Sequence, residues 1–94
     1  MSISKVKLQI FADHCGAAAE SMAYTLHRTA HSAFVKETED FTTGITTPEG
    51  LTYASPRDLG ATWFVCLDYG NAIRKVPTYE EGDIWITSDP YSGF

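Results

Sequence analysis

His27 and His31 stand four residues apart, a spacing that sets two imidazoles on one helical face as a candidate pair of metal ligands. No acidic third ligand follows at a fixed spacing, and the competing reading is two partly exposed surface histidines. Asp13-His14-Cys15 gathers three ligating types, but helical neighbours point to different sides. Glu37, Glu39 and Asp40 form an acidic run that reads as a solvated loop. The chain carries no Walker-type phosphate loop, no Gly-x-Gly-x-x-Gly, no Gly-x-Ser-x-Gly and no Cys-x-x-Cys. Taken alone, these residues do not make an enzyme.

The elements that must position them follow from periodicity. Ile3, Val6, Leu8 and Ile10 alternate with polar residues and fit a short strand as well as a helix start. From Leu8 the helix prevails: Leu8, Phe11, Cys15, Ala18, Met22, Leu26, Ala30 and Phe34 step by three or four and form one apolar stripe. The pattern predicts a helix over about residues 5–34, roughly 45 Å long at 1.5 Å per residue. That would overhang a compact domain with a radius of gyration of about 13 Å. The small residues Gly16-Ala17-Ala18-Ala19 allow another backbone to approach. Phe41 to Ala54 predicts a β-hairpin turning at Thr47-Pro48-Glu49-Gly50, with Pro and Gly where a type I turn favours them. Ser55-Pro56-Arg57-Asp58 suits a helix start, with Ser55 as cap, Pro56 in the first turn and Asp58 at the positive end of the dipole. Leu59, Trp63, Cys66, Leu67 and Ile73 would be that second helix's buried face, and Pro77 would end it. Trp63 and Leu67 should pack near Met22 and Leu26, with the 41–54 hairpin alongside. Glu80-Glu81-Gly82-Asp83 reads as a turn, Ile84-Trp85-Ile86-Thr87 as a short strand, and residues 88–93 as a loop. The fold class is α+β: long N-terminal helix, hairpin, second helix, short C-terminal strand.

Ninety-four residues make one domain at most. The net charge of −5 argues against non-specific nucleic-acid binding. No stretch approaches the roughly 20 apolar residues of a membrane span, and no signal peptide is visible. Cys15 and Cys66 read as buried free thiols, which implies a reducing, cytoplasmic setting.

Four segments then carry a resemblance. Arg28-Thr-Ala, Lys36-Glu37 and Asp40-Phe41 resemble an Arg-Thr-Ala…Arg-Glu…Asp-Phe-Ser signature. Thr46-Thr-Pro-Glu-Gly-Leu occupies the place of an Asp-x-x-Gly hairpin turn, and Ser55-Pro56-Arg57-Asp58-Leu59-Gly60 resembles Ile-Pro-x-His-Leu-Gly. Glu81 to Tyr91 is similar to a segment built on Gly-Asp and Asn-Asp-Pro-Tyr. Together, in this order, they resemble the N-terminal portion of hydantoinase B-type subunits: 5-oxoprolinases, N-methylhydantoinases and the large subunits of ketone (acetone) carboxylases. Asp58 stands where that family commonly has His, and Ser88 where it commonly has Asn. The family's Gly-x-x-Thr-His-x-x-Asp segment would follow Phe94. The chain is therefore expected to be a fragment or one part of a split subunit, a partial domain completed by other residues.

The resemblance implies an ATP-dependent hydrolase or ligase acting on a cyclic amide or ketone carbonyl of a small molecule. Asp58 and Asp89 would be metal-proximal or base residues and Arg28 an anion-facing group, with Glu37 and Asp40 ordering the loop around them. Structural readings compete: Asp58 as a helix-start residue, Asp89 as a turn residue before Pro90, Arg28 as an ion-pair partner. ATP and a divalent metal are expected in the complete enzyme and neither on this chain alone. The implied partners are a hydantoinase A-like ATP-binding subunit and the remainder of the hydantoinase B-like subunit, with no nucleic acid and no membrane. The alternative is a non-catalytic scaffold or interaction subunit that keeps the family's N-terminal fold.

Overall fold

The computed structural model describes residues 3–61 and 67–91. Its first element, α1 (Lys5–Thr29), starts where Ser4 accepts a hydrogen bond from the Lys7 amide at 3.2 Å, an N-cap that satisfies one orphan donor. His27 and Arg28 sit in its last turn, where the helix dipole favours positive charge.

The helix stops at Thr29 rather than running to residue 34. Ala30 and Ser32 are extended, and Ser32 caps a new short helix, α2 (Ala33–Lys36), by accepting from the Phe34 amide at 3.2 Å. A serine at this point offers the backbone a start signal that competes with continuation. Two bonds fold α2 back over the end of α1. The Lys36 ammonium donates to the Arg28 carbonyl at 2.8 Å, and His27 Nε2 donates to the Lys36 carbonyl at 2.8 Å. Both occupy carbonyls left open at helix ends.

The hairpin forms as its turn chemistry requires. β1 (Ile45–Thr46) and β2 (Thr52–Ala54) pair antiparallel, Ile45 with Ala54 and Thr46 with Thr52, with a bulge between the two pairs. The Gly50 amide donates to the Thr47 carbonyl at 2.9 Å across the turn. Gly50 has φ +101°, and a Cβ there would meet the backbone of Tyr69 and Gly70, so both conformation and space demand glycine. Through this close approach Asp68 bridges to Leu51, and α3 (Gly70–Ile73) follows.

Two expectations fail here. Residues 55–61 bend without becoming helical, and among the described residues that follow the helix covers Gly70–Ile73. Pro56 is fully buried, and the residues after it are held by bonds to distant side chains, so the local start signal is overridden. Ile84–Thr87 forms no strand: among the described residues no strand pairs with it, and Ile84 and Ile86 are 93% and 97% exposed. The Glu80–Asp83 turn does form, with Gly82 at φ +91° and the Glu80 amide bonded to Asp83 Oδ2 at 3.0 Å. The arrangement remains α+β: a long N-terminal helix, a two-stranded antiparallel hairpin and a further short helix.

The core is small. Ala19 and Ala23 are fully buried against the hairpin side, with Ala54 and Ala61 nearly so. The Thr43 hydroxyl donates to the Ala19 carbonyl at 2.8 Å, a contact that the small helix face permits. The larger stripe turns away: Leu8, Phe11, Met22 and Leu26 are all more than a third exposed. Trp63 and Cys66 lie outside the described residues, so the packing expected of Trp63 does too; Cys15 is half-buried and free.

Candidate functional site

The cleft that contains Asp58 is built on the small-residue face of α1. Gly16 and Ala17 form its floor, and a Cβ on Gly16 would meet nothing within 4 Å. Asp13, Glu20, Arg57 and Asp58 bring charge to a space of about 510 Å³. Asp58 is exposed and follows Arg57, whose amide donates to Glu20 Oε2 at 2.7 Å. Two residues on, the Gly60 amide donates to Glu39 Oε1 at 3.1 Å. Glu39 itself has φ 54°, a left-handed conformation uncommon outside glycine. It follows the end of α2, where the Asp40 amide returns to the Phe34 carbonyl at 2.8 Å. Gly60, at φ +87°, lies against Phe41: a Cβ there would come within 2.7 Å of the Phe41 carbonyl oxygen.

Asp89 lines a different cleft, of about 450 Å³, together with Ile73, Val76, Tyr79, Trp85 and Ile86. Tyr79 and Trp85 meet edge to face with ring centroids 6.2 Å apart, and the Tyr79 hydroxyl donates to the Ile73 carbonyl at 2.9 Å. Asp89 Oδ1 accepts from the Tyr91 amide at 2.9 Å, a turn around Pro90. Arg28 is exposed in the last turn of α1, beside the hook formed by His27 and Lys36. The chain thus does not itself bring Asp58, Asp89 and Arg28 into one cleft.

Among the described residues no group of three or more His, Cys, Asp and Glu side chains is arranged to hold a metal ion. His27 Nε2 is committed to the Lys36 carbonyl. The sequence contains no phosphate-binding loop for ATP. Burial pushes the Tyr69 phenol above its ordinary range; this residue lies beside Gly50 and lines neither cleft.

Glu20 and Arg57 carry no motif of their own. The signal that could have found Glu20 is its place four residues after Gly16, at the end of a small-residue run. A carboxylate there stands over a floor of small residues.

Among the described residues no helix is long and apolar enough to cross a membrane. Compared with curated proteins and with solved structures, the chain finds no match. A model of the hydantoinase B/oxoprolinase family matches residues 4–94, covering the hairpin, the Asp58 loop and the Asp89 turn alike. The match extends over nearly all of the sequence, and the chain belongs to the hydantoinase B/oxoprolinase family.

Proposed function

We propose that the chain is part of an ATP-dependent enzyme of the hydantoinase, oxoprolinase or ketone carboxylase type, acting on the carbonyl of a small cyclic amide or ketone. The observation that carries this reading is the family match across residues 4–94, which supports a hydantoinase-type role. ATP binding falls to a hydantoinase A-like partner, because no phosphate loop stands in this sequence. The remainder of a hydantoinase B-like subunit supplies what the two clefts lack. The chain's own contribution is Asp58, an exposed carboxylate at a polar cleft, placed to accept a proton from an incoming nucleophile. Asp89, which lines the other cleft, and Arg28, exposed at the end of α1, join it only in the complete assembly, Asp89 as a metal-proximal or base residue and Arg28 as a group facing an anionic part of the substrate.

The exposure of residues 3–14 and 77–91 supports a part that is completed by another surface. The test is reconstitution with both partners, followed by ATP-dependent ring opening of hydantoin and 5-oxoproline and ATP-dependent carboxylation of acetone. Asp58→Asn and Asp89→Asn should each lower turnover strongly while assembly, read by gel filtration, stays intact. A second reading, a non-catalytic scaffold, is favoured by the placement of Asp58 and Asp89 in different clefts. Turnover within a few-fold of the parent for both variants would establish it.

A further inference from the structure

We propose that Glu20 and Glu39 are positioning residues that clamp the two ends of the Arg57–Gly60 loop and so fix Asp58 at its cleft; the proposal rests on the assignment of Asp58 to the functional site. The loop has no helix or strand of its own to hold it. Its first amide, of Arg57, is bound at 2.7 Å by a carboxylate from the middle of α1. Its last amide, of Gly60, is bound at 3.1 Å by a carboxylate from the turn after α2. Hydrogen bonds to an ionised acceptor are stronger than neutral ones, and both glutamates are half-buried.

The flanks reinforce the clamp. Fully buried Pro56 precedes it, and the Ala61 amide donates to the Phe41 carbonyl at 2.6 Å just after it. Only Asp58 and Leu59 lie between the held amides. Glu39 keeps a left-handed backbone, a conformation that persists in a non-glycine residue when its surroundings over-determine it. The bond to Gly60 is one such determinant. Across the cleft, Gly16 and Ala17 present no polar side chain, and the loop that carries Asp58 is held at both ends by the two glutamates. A displacement of about 1 Å at a reacting group can lower turnover on the order of 10²-fold.

The test combines amide exchange with turnover. In the full chain, Glu20→Ala should speed exchange at the Arg57 amide, and Glu39→Ala at the Gly60 amide, each on the order of tenfold or more. Glu20→Gln and Glu39→Gln keep an acceptor oxygen and should retain most of the protection. Glu39→Gly removes the carboxylate while suiting the left-handed backbone, so it separates loss of the clamp from loss of folding. In the reconstituted enzyme the Ala and Gly variants should lower kcat on the order of 10²-fold with little change in KM, and the Gln variants should recover most of it. Unchanged exchange at both amides overturns the clamp. Faster exchange with unchanged turnover, while Asp58→Asn is inactive, overturns positioning and leaves the functional reading standing. Full turnover in Asp58→Asn removes the functional reading and the positioning role together.

Discussion

The middle of the chain and its C-terminal stretch are held in opposite ways. Around the centre of α1 and the hairpin, side chains distant in sequence tie the backbone: Thr43 to Ala19, Glu20 to Arg57, Glu39 to Gly60. Among the described residues, the buried side chains there are those of alanines and a proline. Between residues 77 and 91 every residue is exposed, although Ile84, Trp85, Ile86 and Tyr91 are among the most apolar in the chain. The bonds along 80–91 include turn-scale ones, such as Glu80 to Asp83 and Tyr91 to Asp89. Among the described residues, close backbone approach and directed hydrogen bonds rather than large side chains organise the folded part. Buried methyl groups contribute only about 1 kcal/mol each, so each directed bond is a large share of the whole.

The sharpest way to break this contrast is at the close approach. Gly50→Ala places a methyl group against the backbone of Gly70 and forces an unfavourable φ, and should cost more than about 2 kcal/mol in urea denaturation. Next come two substitutions that should behave oppositely. Ala23→Leu overfills a fully buried site and should cost about 1–3 kcal/mol, whereas Ile86→Ala in the exposed stretch should stay within about 0.5 kcal/mol. Equal effects would erase the distinction between the regions. Two threonines sharpen it further. Thr43→Val loses the bond to Ala19 and should cost about 1 kcal/mol; Thr52→Val removes a buried hydroxyl without a partner and should be neutral or stabilising. Thermal melts of the two variants decide this.

The smallest effect concerns pH. Burial raises the Tyr69 phenol in the folded chain above its unfolded value of 10.0. The folded state then holds its proton longer than the unfolded state, so stability is fully present below that pH and falls as pH rises through the folded pKa. Urea midpoints on either side of pH 10.0 should show the decline, and Tyr69→Phe should flatten it.

The sequence made the hairpin legible because its information is local: Pro48 and Gly50 specify the turn by their own backbone limits. The closeness allowed by Ala19 was legible too. The end of α1 was not, since the Leu26–Ala30–Phe34 spacing continues through a break made by the Ser32 cap. The apolar stripe fixed a helix but not which side faces the body, and the alanine face won because Thr43 reaches the helix backbone there. Asp58 was found through the family pattern and placed wrongly at a helix start. What holds its loop are bonds spanning 37 and 21 residues, which no local pattern encodes. For Asp89 the turn before Pro90 was readable from the dipeptide itself.

The turn at Glu80–Asp83 and the Asp89-Pro90 pair also bracket an exposed apolar run, Ile84-Trp85-Ile86. Short β-prone runs of this kind seed fibrils by stacking identical copies in register at about 4.8 Å. Here each added layer would set Glu80, Glu81, Asp83 and Asp89 directly over their own like charges, and Pro90 offers no amide to the ladder. The acids and the proline act as gatekeepers, and a chain with alanine in their place would be the one to form fibres.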